Sequence, residues 1–369
     1  MDPAHARSGT ARPRVRRRLA VLVSALAVVL GGLTAGQTAQ AAPASNGALP
    51  RLTATGGDYV TGISSGGYMA TQLQVAYSRR IRAAGIFSAG PYWCAQDNVA
   101  IALYGCTVDT VPIDMTRLYA QTEQYARQGK VDPLRYLTRS RTYFFHGTKD
   151  PTVVQSVADK LAEYYRHYGV PLTYRNTLAA GHAWISPLGP VACGDTASPY
   201  INNCPGYDAQ ADLLRTMFGS VTAPNTGKPR GQITSFSQDR YAVPAVPGNG
   251  DLTQSGAAAI GMGRTGYLYT PARCSSGATC RIVVALHGCQ QTADQIGTTF
   301  VERSGLNAYA DTNDFVVLYP QATPQTGAIV NPKGCWDWWG YLGPGDVDYA
   351  TKNGPQMRSV MNMVSALGG

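Results

Sequence analysis

The segment GISSGGYMA, residues 62–70, constrains the fold of this chain more than any other stretch of the sequence. The strand-like run DYVTGI leads into it, and the amphipathic helical pattern YMATQLQVAYSRR follows. Gly62, Ser64 and Gly66 match G-x-S-x-G, in which a serine projects from a sharp strand-to-helix turn and small neighbours let the two backbone arms nearly touch. The pattern predicts Ser64 as a nucleophile; Ser65 is the competing candidate, and an ordinary Gly/Ser turn is the alternative.

A nucleophilic serine needs a base, and the chain contains five histidines. His182, in AAGHAWI, lies in a loop after a predicted strand, which suits a catalytic imidazole. The other four lie in less suitable places: the basic N-terminal segment, the end of a strand, a charged helix and a strand-to-glycine junction (His5, His146, His167 and His287). His182 is therefore the predicted base, and a structural loop histidine is the alternative.

The acid that orients such a histidine is expected after a strand, between the serine and the histidine in chain order. In YFFHGTKDPTVV, Asp150 lies three residues after the glycine that ends a predicted strand. Asp109 and Asp132 have no preceding strand, and a helix N-cap is the alternative role for Asp150. The order Ser64, Asp150, His182 is that of the catalytic residues in α/β-hydrolases.

The segment VVALHGCQQT, residues 283–292, follows the serine by more than two hundred residues. A buried strand that ends in His-Gly and leads into a helix supplies one N–H group of the oxyanion hole in this fold, but it is normally found before the serine. We assign the two oxyanion N–H groups to Ser65 and Cys289.

Strand-like and helical patterns alternate along the rest of the chain, which indicates a mainly parallel sheet with helices on both faces. The strand-like runs include AAGIFSAG, RTYFFHG, PLTYRNT, RIVVALHG and DFVVLYP. The one linker-like stretch is TAPNTGKPRG, residues 222–231, which we interpret as a surface loop rather than a domain boundary.

Together these segments resemble the extracellular poly(3-hydroxybutyrate) depolymerases, and among them the circularly permuted, or type 2, catalytic domain. The resemblance spans roughly residues 58–369 and rests on YVTGISSGGYMA, HGTKDPTV, GHAW, GYLYTPA, VVALHGCQQTADQIG, FVVLYPQ and CWDWW. In unpermuted relatives the HGC block and the LYP strand come before the serine, whereas here they come last. The resemblance implies a circularly permuted α/β-hydrolase fold in which residues 222–231 join the old chain ends.

The same resemblance implies a serine esterase that cleaves poly(3-hydroxybutyrate) or a related short-chain polyester through an acyl-enzyme. Family members usually continue into a linker and a polymer-binding domain, which this sequence lacks, so we expect the catalytic domain itself to adsorb to the polymer. Candidates for the apolar crevice are aromatic or lie beside the catalytic loops, with core packing as their alternative role (Trp184, His287, Trp336, Trp338 and Trp339).

The sequence is also compatible with two other functions. A feruloyl or acetyl esterase acting on plant polysaccharide esters would use the same catalytic residues with a different crevice. A catalytically inactive binding protein could share the fold, although the intact Ser, Asp and His argue against it. No metal or cofactor is expected, and the protein is expected to be a monomer.

Residues 1–41 have the pattern of a secretory signal peptide: six arginines, the apolar run LAVLVSALAVVLGGL, and TAQAA before the predicted cleavage site. An uncleaved anchoring helix is the alternative, and RRRL leaves open whether export uses the twin-arginine route. The remaining residues, 42–369, are predicted to form one catalytic domain.

The net charge of the chain depends strongly on the predicted signal peptide. Removing its six Arg and one Asp changes 31 basic and 22 acidic residues to 25 and 21, so the net charge falls from +9 to +4. Nucleic-acid binding therefore loses its support.

All eight cysteines follow the predicted signal peptide, and an even number in an exported chain indicates disulfide bonds. Neighbouring residues suggest the pairs Cys94–Cys106, Cys193–Cys204 and Cys274–Cys280, which leave Cys289 with Cys335. Eight cysteines allow 105 connectivities, so the sequence does not prove this one. Zinc is less favoured, because the chain has no C-x-x-C pair.

Overall fold

A computed structural model describes residues 46–369. The signal-peptide prediction for residues 1–41 lies outside the described residues. No helix within 46–369 is long and apolar enough to cross a membrane. The strands of the central sheet are β1 Ala54–Ile63, β2 Ile81–Phe87, β3 Arg141–Phe145, β4 Leu172–Arg175, β8 Gln232–Ser237, β9 Thr265–Thr270, β10 Cys280–Leu286 and β11 Phe315–Tyr319.

Short strands form two small sheets beside it: β5 Trp184–Ile185, β6 Val191–Ala192 and β7 Ile201–Asn203 in one, and β12 Gln325–Thr326 and β13 Val330–Asn331 in the other. The α-helices are α1 Ser65–Ala76, α2 Val99–Tyr104, α3 Met115–Arg127, α4 Gln155–His167, α5 Ala209–Phe218, α6 Ala272–Ser275, α7 Ala293–Ile296, α8 Thr299–Arg303, α9 Leu306–Asn313 and α10 Pro355–Leu367.

The central sheet has the strand order β4-β3-β2-β1-β10-β11-β9-β8. The first six are parallel, and β9 and β8 join antiparallel at one end. The strand that leads to Ser64 therefore pairs with β10, the strand that leads to His287, although the two are far apart in the chain. This neighbourhood agrees with the predicted circularly permuted α/β-hydrolase fold.

Two hydrophobic cores cover the two faces of the sheet. One contains Leu73 of α1, Leu161 of α4 and Val360 of α10, and the other contains Leu213 of α5 and Leu306 of α9. Every residue of α1 is buried. The helix that begins after Ser64 is therefore held on all sides, which fixes the turn before it.

All four predicted disulfide bonds are present, joining Cys94 to Cys106, Cys193 to Cys204, Cys274 to Cys280 and Cys289 to Cys335. The predicted loop at residues 222–231 is also confirmed. It connects α5 to β8 and contains neither helix nor strand. Because β8 pairs with β9, this segment is a connection within one sheet.

Helix α1 approaches the end of β10 so closely that no side chain fits at Gly66. A Cβ atom there would lie 2.3 Å from the carbonyl oxygen of His287 and 2.4 Å from that of Leu286. Both neighbours are backbone atoms, one from the last residue of a central strand and one from the residue that follows it, so they cannot move without disturbing the sheet. The glycine is therefore a packing requirement of the fold as well as part of the serine turn.

We predict that Gly66→Ala lowers the free energy of unfolding by about 3 kcal/mol or more, because overpacking against rigid backbone is strongly destabilising. Gly327→Ala is the matched control, since a Cβ there meets no atom within 4 Å. Thermal unfolding of both variants measures the difference. Equal melting temperatures would contradict the close packing of α1 on β10.

Candidate active site

Ser64 stands at the turn between β1 and α1 with φ 55° and ψ −122°. A positive φ is costly for a residue with a side chain and persists only where the surroundings enforce it. The Ser64 N–H donates to the carbonyl oxygen of Phe87 at 2.9 Å, which ties the turn to the end of β2. Ser64 is partly exposed, whereas Ser65 is 1% exposed. Ser64 is therefore the better placed of the two serines to meet a substrate.

Asp150 and His182 form a direct hydrogen bond. The Nδ1 atom of His182 lies 2.8 Å from Oδ2 of Asp150, and the carboxylate has no exposed surface. Asp150 follows β3 and Ser64 follows β1, so both residues lie at the carboxyl edge of the parallel strands. His182 sits in the loop before β5, where its backbone N–H donates to the Thr196 hydroxyl at 2.9 Å. The predicted acid and base are thus in contact.

Burial alone would raise the pKa of Asp150, but its neighbours outweigh that effect and lower it. The other Asp150 oxygen accepts the backbone N–H groups of Thr152 at 2.9 Å and Val153 at 3.0 Å. A second histidine, His146, has its Nδ1 atom 4.0 Å from Oδ2 of Asp150, and burial lowers the pKa of that imidazole. Asp150 is therefore held as an anion, which suits an acid that orients a histidine.

The segment after β10 packs directly against the serine turn. A Cβ atom on Gly288 would lie 3.3 Å from Cβ of Ser64 and 3.3 Å from the carbonyl oxygen of Ile63. Cys289 follows at once and is joined to Cys335. The Ser65 N–H belongs to the first turn of α1, where backbone N–H groups have no acceptor within the helix. Both predicted oxyanion donors therefore belong to segments that border Ser64.

Gln291 braces this loop, a role that the sequence reasoning missed. Its Oε1 atom accepts the Gly288 N–H at 2.6 Å, and its Nε2 group donates to the carbonyl oxygens of Pro199 and Tyr200 at 2.8 and 3.1 Å. The Tyr200 carbonyl also accepts the N–H of Trp184, two residues after His182. One buried amide thus links the serine side of the site to the histidine side. The only sequence signal was its place in HGCQQT.

His287 is a structural residue, contrary to its prediction as a substrate contact. The imidazole is 0% exposed. Nδ1 lies 2.7 Å from the Gly288 carbonyl oxygen, and Nε2 accepts the Ala322 N–H at 3.1 Å. Burial lowers the pKa of His287 to about 4, so the ring is neutral and both nitrogen atoms are used. It shapes the loop that carries Gly288 and Cys289.

The four tryptophans predicted to contact the substrate differ in their exposure. Trp184 and Trp336 are fully buried and pack in the interior, Trp184 against Phe87 and Trp336 beside His287, so neither can present a face to a ligand here. Trp338 is 7% exposed and stacks on Tyr68 of α1 with ring centroids 4.1 Å apart. Trp339 is partly exposed and remains the best candidate of the four for a crevice wall.

Known sequences are similar to this chain over most of its length. A family model described as Esterase PHB depolymerase matches residues 266–367. The chain is 36% identical over 312 residues to a poly(3-hydroxybutyrate) depolymerase from Delftia acidovorans, covering 83% of this chain and 58% of that protein. It is 35% identical over 324 residues to a polyhydroxybutyrate depolymerase from Talaromyces funiculosus, covering 84% of this chain and 88% of that protein.

Solved structures agree with this similarity. The crystal structure of a PHB depolymerase from Penicillium funiculosum is 33% identical, has a TM-score of 0.75, and matches 87% of this chain and 98% of its own. A PHB depolymerase variant complexed with an R3HB trimer matches with the same values. The identity to the Talaromyces protein is 35% over 84% of this chain and 88% of that protein, which is enough to establish a shared family. The chain therefore belongs to the PHB depolymerase family of esterases.

Proposed function

We propose that this protein is a secreted serine esterase that hydrolyses poly(3-hydroxybutyrate) or a related short-chain polyester. One observation carries the proposal. A strained serine turn, a buried Asp150–His182 pair and the loop at Gly288 all meet the same edge of the sheet. The arrangement supplies a nucleophile, an oriented base and oxyanion donors, which are the parts that ester hydrolysis needs.

In the proposed reaction, the Ser64 hydroxyl attacks the ester carbonyl carbon while Nε2 of His182 takes its proton. Asp150 fixes the tautomer with the proton on Nδ1 and stabilises the imidazolium that forms. The tetrahedral intermediate collapses, and His182 returns the proton to the departing alkoxide. Water then attacks the acyl-enzyme with His182 again acting as base, which releases the acid and restores Ser64.

The N–H groups of Ser65 and Cys289 are the proposed oxyanion donors. The Ser65 group lies at the N-terminus of α1, where the helix dipole also favours negative charge. Each such donor contributes on the order of 10²–10³ in rate, because it is already oriented when charge develops on the oxygen. The bracing of the 287–291 loop by Gln291 and the Cys289–Cys335 bond is what holds the second donor in place.

The substrate class rests on the relatives. Two curated relatives are named as depolymerases of this polyester, and one solved relative holds an R3HB trimer. Because the chain spans only 58% of the Delftia protein, the activity of that whole protein is carried over here as a proposal. Secretion is supported by four disulfide bonds, which persist in oxidising compartments, and by the predicted signal peptide.

An exposed apolar surface next to the site suits adsorption to a solid polyester. We call it the α2 patch: Val99, Leu103, Tyr104, Val108 and Val111, which are between 39% and 56% exposed. The Cys94–Cys106 bond anchors its base, and the Thr107 carbonyl accepts the N–H of Val154, four residues after Asp150. Clustered apolar side chains of this kind mark interaction surfaces. We therefore assign adsorption to the α2 patch rather than to buried tryptophans.

Clearing of a suspension of amorphous poly(3-hydroxybutyrate) tests the proposed function. The purified wild-type protein is expected to clear the suspension and to release soluble hydroxybutyrate oligomers. A parallel assay uses p-nitrophenyl butyrate and a feruloyl ester. Hydrolysis of the feruloyl ester without clearing would overturn the substrate and favour a polysaccharide esterase, and no hydrolysis of any ester would favour a binding protein.

Replacing the nucleophile should abolish catalysis without unfolding the protein. Ser64→Ala is expected to lower kcat on p-nitrophenyl butyrate by on the order of 10⁴–10⁶, because the acyl-enzyme can no longer form. Ser65→Ala keeps the backbone N–H and is expected to change kcat by less than about tenfold. Circular dichroism checks folding. If Ser65→Ala is the more damaging variant, the assignment of the nucleophile is wrong.

The α2 patch should matter for polymer and not for a soluble ester. Each half-exposed apolar side chain contributes about 1 kcal/mol when it is covered, so Val99→Ser with Leu103→Ser should weaken adsorption to polymer particles by about tenfold to thirtyfold. Ile233→Ser is the matched control, because Ile233 is 39% exposed and lies on β8 at the other end of the sheet. Equal adsorption of the double variant and the control would refute the assignment.

The Cys289–Cys335 bond should support both stability and rate. It closes a separation of 46 residues, which the chain-entropy model converts into roughly 3–4 kcal/mol. Replacing both residues with Ser is expected to lower the melting temperature and also kcat, because the position of the Cys289 N–H is no longer fixed. Replacing Cys274 and Cys280 with Ser is the control: stability should fall while kcat is retained. An unchanged kcat in the first variant would contradict the bracing role.

A further inference from the structure

Asp337, the central residue of CWDWW, is buried and only half satisfied. Its Oδ1 atom accepts the backbone N–H groups of Gly340 at 2.8 Å and Tyr341 at 3.2 Å. Its Oδ2 atom receives no N–H or hydroxyl donor from the described residues. A buried carboxylate oxygen without a donor is costly, and native structures rarely tolerate one.

Asp346 shows the same asymmetry nine residues later. Its Oδ2 atom accepts the Leu342 N–H at 3.4 Å, and its Oδ1 atom receives no N–H or hydroxyl donor from the described residues. The backbone N–H groups that these two carboxylates accept belong to consecutive residues, Tyr341 for Asp337 and Leu342 for Asp346, so the two carboxyl groups lie side by side and each acts on the other. Two ionised carboxylates cannot hydrogen-bond to each other, since neither carries a proton to donate. One proton between them would satisfy both.

The pair closes a loop that packs on the helix after the proposed nucleophile. Residues 337–346 carry Trp338 and Trp339. The Asp337 carbonyl oxygen accepts Nε2 of Gln72 from α1 at 3.1 Å, and the Asp337 N–H donates to Gln356 from α10 at 2.9 Å. Together with the stacking of Trp338 on Tyr68, the bond to Gln72 packs the loop directly against α1, the helix that follows Ser64.

We propose that Asp337 and Asp346 share a single proton, and that Asp346 is thereby a positioning residue that holds loop 337–346 closed against α1. Its effect on catalysis rests on the proposed function, because Trp339 of this loop is the best candidate for a wall of the substrate crevice. The shared proton itself does not depend on the substrate.

The electrostatic surroundings favour this shared proton. Burial raises the pKa of Asp337, and burial together with the Asp337 carboxylate raises the pKa of Asp346. Neither carboxyl group belongs to an ion pair within the described part of the chain, and Lys130 is engaged by Asp348 at 2.8 Å. The titratable groups that face the pair are an acid and two neutral phenols: Asp97, Tyr341 and Tyr349.

A raised pKa in the folded state fixes the sign of the pH dependence. Between the unfolded value of about 3.9 and the folded value, the folded protein holds one proton more than the unfolded chain. The stability that this proton contributes is therefore complete in acid and is lost as the pH rises. Asp346→Asn removes this dependence, because the amide donates to Asp337 without a titrating proton.

The first measurement compares unfolding of the wild type and Asp346→Asn between about pH 5 and pH 9. The unfolding equilibrium constant of the wild type, relative to Asp346→Asn, is expected to rise about tenfold per pH unit. Asp348→Asn is the matched control. The pH dependence of its unfolding equilibrium constant should stay parallel to that of the wild type. Parallel profiles for the wild type and Asp346→Asn would overturn the proposal.

Infrared spectroscopy detects the proton directly at about pH 8, where Asp97, with a pKa of about 6, is ionised. The band of a protonated carboxylic acid should be present in the wild type and in Asp348→Asn, and absent in Asp346→Asn. A wild type without this band would overturn the proposal, whatever ester the enzyme hydrolyses.

Kinetics on a soluble ester test the positioning role. Asp346→Asn should keep KM within about twofold of the wild type, because its amide preserves the bond to Asp337. Asp346→Ala leaves a buried carboxylate without a partner and should raise KM by about tenfold. Equal KM values for the two variants would refute the positioning role. Failure of the wild type to clear polymer, with the infrared band present, would refute the proposed substrate alone.

Discussion

The sharp turn at Ser64 is the constraint on which the rest of the site depends. Its positive φ is enforced because β1 is a central strand with a partner on each side and α1 is buried along its whole length. Gly66 lets the helix touch the end of β10, which brings Gly288 within contact of the serine. The packing that stabilises the sheet therefore also brings together two parts of the site, the Ser64 turn and the Gly288 loop. The energetic cost of the positive φ at Ser64 is offset by the burial of α1 in the core.

The third part of the site, the Asp150–His182 pair, is positioned by side-chain hydrogen bonds as well as by the sheet. Asp150 is fixed by two backbone N–H groups and by His182, so its position follows from the turn after β3. Gln291 then joins the Gly288 loop to the backbone that pairs with the strand after His182. Three connections that are distant in sequence thus converge at the carboxyl edge of the sheet.

Much of this arrangement could be predicted from the sequence, because local rules govern it. A strand, a glycine-flanked serine and a helix specify the turn at Ser64, and short cysteine spacings suggested three of the four disulfide bonds. The alternation of strands and helices predicted the mainly parallel sheet. Placing His287 and Gly288 beside the serine needed the family resemblance, since nothing local in the chain relates segments two hundred residues apart.

The errors and omissions share a physical cause, which is that burial depends on tertiary packing. Trp184, Trp336 and His287 were predicted as substrate contacts because they are aromatic or lie beside the predicted catalytic loops, yet the fold places them in its interior. The sequence did not predict the α2 patch, because the type of an apolar residue does not indicate whether the fold buries or exposes it. The Asp337–Asp346 contact was missed because an acidic residue in an aromatic segment gives no sign of which other acid it will meet.

Covalent labelling tests most directly whether these parts act as one serine esterase site. An alkyl fluorophosphonate reacts only with a serine that is activated by a base and faces oxyanion donors. Mass spectrometry of the labelled wild type should find one adduct, mapped to Ser64, and labelling should be strongly slowed in Asp150→Asn because the histidine loses its correct tautomer. An adduct on another residue, or a folded wild-type protein that stays unlabelled, would contradict the proposed active site.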